Sequence, residues 1–288
     1  MIDIESTQQL RPGFEREVHS FSAPNWSHGG VPDHRVRRLI DSDDPAFTDP
    51  FLIMGEDWMP RGAYAVHPHR GMETVTFVID GEVDHFDSAG HRGVIGTGDA
   101  QWMTAGRGVL HEESAAAGTL AHTLQLWINL PAAQKMAEPR YQDLRAESMP
   151  VWRDRGVEVR VFSGSYRDVS APTLNHAAIT MLEVRLQSGA DTRIDLPASS
   201  NAFIFVLDGS LRAGASQTPV AAGELAWFTR SDQHAMSQIR VSACNIAARL
   251  LLFAGTPLRE PVVFGGPFVM TTAADIKQAF RDFANGRF

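Results

Sequence analysis

Four side chains in two short pairs are the first candidates for chemistry. In "HPHRG", residues 67–71, His67 and His69 stand one residue apart. In "GDAQWMTAGRGVLHEE", residues 98–113, His111 and Glu113 have the same spacing. Residues i and i+2 of a strand share a face, so each pair can aim two donor groups at one point. One H-x-H pair alone is weak ground for a metal, because two imidazoles on a wet strand edge have the same spacing. Two converging pairs would offer three neutral imidazoles and a carboxylate. That mixed N/O set suits Fe(II), Mn(II), Ni(II), Co(II) or Zn(II) and leaves one or two octahedral positions free. Open positions imply catalysis or ligand exchange rather than a sealed structural site. Glu112 competes with Glu113 for the fourth place; strand alternation turns Glu112 to the opposite face and favours Glu113.

Such pairs need strands to carry them, and the chain is rich in strand patterns. "TVTFVID", "HTLQLWINL", "VEVRVFSG", "ITMLEVRL", "AFIFVLDGSL", "ELAWFT" and "RLLLFAG" are short apolar runs bounded by turn residues. Their spacing predicts an all-β sandwich or barrel. Helical periodicity is confined to "ADIKQAFRDFANG", where Ile276, Phe280 and Phe283 would share a face, Thr271 or Thr272 would cap and Gly286 would stop the helix. A short helix is expected in "PAAQKMAEP", begun by Pro131.

The strand patterns repeat. "FVIDGEV" at 77–83 returns as "FVLDGSL" at 205–211, and "GDAQWMT" at 98–104 returns as "GELAWFT" at 223–229. Two similar β units in tandem follow, and we divide the chain into 1–135 and 136–288, within the Pro-containing polar stretch "NLPAAQKMAEPRYQDLRAESMP". Counting along the repeat places Asp195, Pro197, Met236 and Gln238 where the first unit has His67, His69, His111 and Glu113. The second unit therefore lacks the ligand set, and His234 nearby is read as a structural histidine. About one metal ion per chain is expected.

Other residues of the first unit take supporting roles. Phe77, Trp102, Met103 and Gln125 are candidates for pocket walls, and Trp127 is read as core. Glu73 is expected to be structural or to back the ligands, and His85, His91 and His122 to lie in the core or at the surface. Arg70 and Gly71 should fix the ligand loop, and Gly106 and Gly108 should let the backbone turn before His111.

Composition narrows the setting. The 288 residues are 43% hydrophobic and 21% charged, with a formal net charge of −8. An acidic surface argues against direct nucleic-acid binding. The single cysteine, Cys244, permits no internal disulfide and no cysteine-based metal site. The opening "MIDIESTQQL" lacks the pattern of a signal peptide, and no apolar stretch approaches the ~20 residues that span a bilayer. A cytoplasmic monomer is expected.

"HPHRGMETVTFVIDGEV", "GDAQWMTAGRGVLHEE", "LQLWINLPAAQKMAEPRYQDL" and "GTPLREPVVFGGPFVMTTAADIKQAF" together resemble the pirin family of bicupins, in order and over nearly the whole chain. The resemblance implies two tandem cupin barrels with a few short helices. It implies a metal, usually iron, held by His67, His69, His111 and Glu113; manganese, nickel, cobalt, zinc or copper could take iron's place. The family includes quercetin 2,3-dioxygenases, so the implied reaction is O2-dependent cleavage of a flavonol. The metal would hold the flavonol oxygen and bring O2 to it, and Glu113 would double as general base. The family also includes an iron-dependent cofactor of transcription factors. The implied alternative is a redox-sensing binding protein or transcriptional co-regulator acting through protein partners. The chain departs from the family's pattern at Glu56, Asp57 and Trp58, where many relatives are rich in Gly and Pro. That segment would border the pocket and bear on substrate preference.

Overall fold

Each half of the chain sets a seven-stranded antiparallel sheet against a four-stranded one, giving the expected all-β bicupin. The computed structural model describes residues 14–41, 43–88, 90–232 and 236–288, so His234 lies outside the described residues. In the first half the large sheet runs in the order Arg140–Leu144, Ala100–Thr104, Met72–Asp80, Leu120–Asn129, Phe51–Pro60, Arg35–Ile40 and Ser27–His28. The small sheet runs Tyr64–His69, Val109–Ala115, Glu82–Asp87 and Arg92–Gly96.

The second half repeats both orders. Its large sheet runs Val18–Ser22, Leu225–Phe228, Asn201–Asp208, Ala248–Gly255, Ile179–Leu186, Val157–Ser163 and Val151–Asp154. Its small sheet runs Asp191–Pro197, Met236–Ala243, Ser210–Ala213 and Thr218–Ala221. The repeated motifs occupy matching places. Trp102 lies opposite Val75 and Trp227 opposite Phe203, while Phe77 pairs with Leu124 and Phe205 with Leu251.

An aromatic core joins the halves. Phe51, Val75, Phe77, Trp102 and Leu126 meet Phe162, Phe203, Phe205 and Phe253 from the second half. Phe51 stands edge-on to Phe203 with ring centroids 5.1 Å apart, and Phe77 edge-on to Phe162 at 5.8 Å. Phe77 and Trp102, expected on pocket walls, belong to this core instead. Their strands are buried on both faces, and apolar residues on both sides of a strand do not reveal which face meets a cavity.

The sheets cross the 135/136 division in three places. Val18–Ser22 is an edge strand of the second half's large sheet, while Arg140–Leu144 is an edge strand of the first half's. The hairpin Val263–Gly265 and Phe268–Met270 returns to the first half, where Phe268 bridges to Arg70 and the Val269 amide donates to the Arg70 carbonyl at 3.0 Å. The helix Ala273–Ala284 follows. Thr272 caps it in a reciprocal capping box with Asp275. It buries Ile276 and Ala279 against Phe268 and Met270. The other expected helix is only a 3-10 turn, Ala132–Gln134, and a four-residue helix, Pro45–Thr48, was not foreseen. No helix among the described residues is long and apolar enough to cross a membrane.

Candidate metal centre

Strands Tyr64–His69 and Val109–Ala115 are antiparallel neighbours, with His67 directly opposite His111. That register brings together two pairs far apart in sequence. Nitrogen atoms of His67, His69 and His111 lie within 4.8 Å of one another, the group of at least three metal-ligating side chains found among the described residues. Backbone carbonyls orient two of the rings. His67 Nδ1 lies 2.8 Å from the Ala65 carbonyl, and His69 Nδ1 lies 3.3 Å from the Pro267 carbonyl. With the proton on Nδ1, each Nε2 keeps its lone pair for another partner.

The Nε2 atoms of His67 and His111 are within hydrogen-bond distance, 3.0 Å apart, while His69 Nε2 and His111 Nδ1 are buried with no hydrogen-bond partner. Three clustered imidazoles with an orphaned buried nitrogen at His69 form a donor set that fits a divalent metal. Burial pushes His69 well below the usual imidazole range, with His111 and His67 adding to the effect. Burial and then His67 and His85 push His111 down to about 3. Both rings are thus neutral at physiological pH, the form that binds metals.

Glu113 lies outside the three-histidine group but inside the same cavity. The strand bulges between His111 and Glu113, which pairs with Tyr64. Thr76 Oγ1 donates to one carboxylate oxygen at 2.9 Å and the Gln125 amide donates to the other. A carboxylate has about four acceptor sites, so these bonds hold Glu113 across the cavity and still leave it lone pairs. Glu112 points away, into a surface groove shared with Arg61 and Arg92. Glu73 is fully buried and accepts from Thr104 Oγ1 at 2.8 Å; on the opposite face of its strand from Thr76, it stays away from the imidazoles. His122 pairs with Glu56, His91 pairs with Asp87, and His85 stacks on Tyr141.

The cavity has a volume of about 370 Å3, and Ile53, Met59, Trp127 and Pro267 give it apolar walls. Gln125 lines it as expected. Trp127, expected in the core, also lines it, standing edge-on to His69 at 5.0 Å and donating its indole N–H to Gln125 at 3.1 Å. Met103 packs elsewhere, with Ala105 and Val109.

The end of the chain braces the ligand loop from behind. Arg70 is buried; it donates to the Arg107 carbonyl at 2.6 Å, pairs with Asp282 at 2.9 Å and lies over the Phe288 ring. Lys135 is buried too. Its ammonium donates to the carbonyls of Gly71 at 2.8 Å and Val269 at 2.9 Å and to the Asn129 side chain, and burial lowers its pKa to about 8. Gly71 has φ +79°, and a Cβ there would fall 2.0 Å from the Val269 carbonyl oxygen. Gly106 is similarly confined, 2.0 Å from the Ala137 oxygen. The sequence pointed to Arg70, Gly71 and Gly106. It did not point to Lys135, Pro267 or Asp282, whose partners in the ligand loop, Gly71, His69 and Arg70, lie 64 to 212 residues away.

The second half has no such centre among its described residues. Asp195 lies opposite Gln238, to which it is hydrogen bonded at 2.7 Å, and Pro197 lies opposite Met236. This pairing corrects the repeat count, which set Met236 in His111's place. Gln238 lies eleven positions after Trp227, whereas His111 lies nine after Trp102, so the second connection is two longer. Neither alignment supplies a ligand set. Arg16 instead is fully buried beside these strands. It donates to Ser237 Oγ and the Ser200 carbonyl at 2.7 Å and to the Pro197 carbonyl at 2.6 Å. Burial, with Arg230 adding to it, lowers its pKa to about 10.

Comparisons with known proteins agree with this architecture. The family model "Pirin" matches residues 38–128, and "Pirin C-terminal cupin domain" matches 181–288. A "Pirin-like protein" of Caulobacter vibrioides is 37% identical over 263 residues, covering 88% of this chain and 92% of its own. The crystal structure of GK1651 from Geobacillus kaustophilus has a TM-score of 0.84 at 44% identity, covering 86% of this chain and 99% of its own. A structure of quercetin 2,3-dioxygenase from Acinetobacter baumannii has a TM-score of 0.83 at 31% identity, covering 95% of this chain and 98% of its own.

Proposed function

The chain belongs to the pirin family, and from that premise we propose that it is a metal-dependent dioxygenase cleaving a flavonol such as quercetin. The observation that carries this reading is the convergence of three imidazoles beside a cavity with apolar sides, with His67 and His69 on its wall. The likeness to the Acinetobacter baumannii quercetin 2,3-dioxygenase over 95% of the chain supports it.

His67, His69 and His111 would hold one divalent metal, with Glu113 as a fourth ligand. By family resemblance the metal is Fe(II), with Mn, Ni, Co, Zn or Cu as alternatives. When bound, it would supply a Lewis acid for the flavonol oxygen and a site for O2 chemistry. Glu113 would accept the proton of the flavonol hydroxyl, while Thr76 and Gln125 keep its carboxylate in place. Ile53, Met59 and Trp127 would seat the flat rings and exclude water. Flavonol and O2 would leave as a depside and carbon monoxide.

The test is to load the purified protein with each candidate metal and follow quercetin loss and carbon monoxide release under air. Turnover well above that of free metal is the expected result. No turnover with any metal, together with partner binding that changes with the oxidation state of iron, would replace this reading with the redox-sensor one.

A further inference from the structure

A carboxyl group stands in the cavity wall where packing alone has no use for it. Alternate residues of strand Phe51–Pro60 face the cavity, namely Ile53, Gly55, Asp57 and Met59. Asp57 is only 5% exposed. Two donors from two elements hold one of its oxygens: His34 Nε2 lies 2.8 Å from Oδ1, and the Tyr64 hydroxyl donates to the same atom at 2.7 Å. His34 is itself buried and stands edge-on to the Tyr64 ring, 5.3 Å away. These contacts fix the carboxyl's orientation. Among the described residues, nothing donates to Oδ2. Burial pushes Asp57 up, against the pull of His34 and Tyr64. Oδ2 is not among the buried partnerless atoms, so it opens on the cavity, where a donor group of a ligand can reach it.

The position of Asp57 says what that group is. It comes from the sheet opposite the histidines. The Tyr64 ring lies between, its centroid 6.3 Å from that of His67. A molecule touching both the histidine site and Asp57 therefore needs a polar group displaced from its metal-directed oxygen by about one aromatic ring. Glu113 lines the same cavity and adds a second acceptor. Two carboxyl groups favour hydrogen-bond donors and disfavour carboxylates.

We propose that Asp57 determines substrate specificity by accepting a hydrogen bond at Oδ2 from a phenolic hydroxyl on the ring remote from the metal. The substrate class is then a polyhydroxylated, uncharged aromatic with hydroxyls at both ends. This rests on the dioxygenase reading and narrows it.

The experiment measures binding rather than turnover. Metal-loaded protein is titrated without oxygen by calorimetry, using three flavonols that share the 3-hydroxyl: quercetin with two hydroxyls on the remote ring, kaempferol with one and galangin with none. Wild type should bind quercetin at least ~10-fold more tightly than galangin, the low end for losing one matched polar contact. Asp57→Asn keeps the acceptor for His34 and Tyr64 but presents an NH2 in place of Oδ2. It should bring the quercetin-to-galangin ratio close to one with metal content unchanged. Should that variant fail to fold, Tyr64→Phe removes one of the two groups fixing the carboxyl and should lower the same ratio. Equal binding of all three flavonols by wild type, or an undiminished ratio in the variants, overturns the inference about Asp57 alone. Failure of wild type to bind any flavonol with metal present overturns the dioxygenase reading and this one with it.

Discussion

The two barrels have the same strand order and opposite interiors. In the first, Gln125 lies opposite Thr76, and both donate to Glu113. In the second, the matching positions are Leu252 and Ile204, in a solid aliphatic core with Ile194, Val206, Ile239 and Val241. The first keeps a small apolar cluster around Val78, Val83 and Ile95 and leaves the rest for the cavity that holds Thr76, Gln125 and Glu113. In the second, the described residues at these positions form a continuous aliphatic cluster, and the side chain buried beside its ligand-equivalent strands is Arg16. Hollowing a barrel forgoes apolar burial of ~25 cal/mol per Å2. The difference suggests a division of labour in which the packed barrel, joined through the aromatic core, supports the cavity-bearing one.

The contrast breaks most sharply at the histidines. His69→Ala or His111→Ala should abolish retention of metal through dialysis, and wild type should retain about one ion per chain. Metal analysis of dialysed protein checks both, and a second tightly held equivalent would contradict the contrast. Next in size is Glu113→Gln, which keeps an oxygen ligand but no base. Turnover per bound metal should fall by at least ~10²-fold, whereas Glu112→Gln should leave it near wild type. Steady-state rates normalised to metal content decide this.

Stability sharpens the comparison on a smaller scale. Leu252→Ala opens a void in the solid barrel and should cost about 2–5 kcal/mol. Gln125→Leu, which copies the second half into the first, removes the partner of Glu113 and of the Trp127 N–H and should cost about 1–3 kcal/mol while lowering turnover per metal. Urea unfolding of both variants provides the measurement. The smallest effect concerns pH. Folding holds His111 near 3 and His69 well below the usual value, against about 6.5 for free imidazole. The unfolded chain therefore binds more protons between those limits, and stability from this source is complete above about pH 6.5 and lost on acidification toward about pH 3. The urea midpoint of metal-free protein should fall over that window, and His111→Gln should flatten the slope.

The repeat, the all-β class and the meeting of His67, His69 and His111 were legible because each leaves a local mark. A hairpin motif recurs, and an i, i+2 spacing survives folding unchanged. Gly71 and Gly106 were legible for the same reason. The exchange of end segments was not, since strand pairing between Phe21 and Ala226 leaves no trace in either stretch. Nor was the placing of Trp127 and Trp102. Both sit in apolar strands buried on two sides, and only the facing partner distinguishes cavity wall from core. Asp57 showed as a departure from the family's pattern, but the hold of His34 and Tyr64 on it needed coordinates.

The brace behind His69 also bears on the making of the protein. Chains emerge from the ribosome N-terminus first, and domains ordinarily fold in that order. Here the first barrel's ligand loop is backed by residues far later in the chain: Pro267 backs His69, Val269 receives Lys135 and Asp282 receives Arg70. A nascent chain halted after Gly255 would have the strands of both barrels and a histidine site without its backing. The backing of the three-histidine site therefore forms only after residues of the second half have been made.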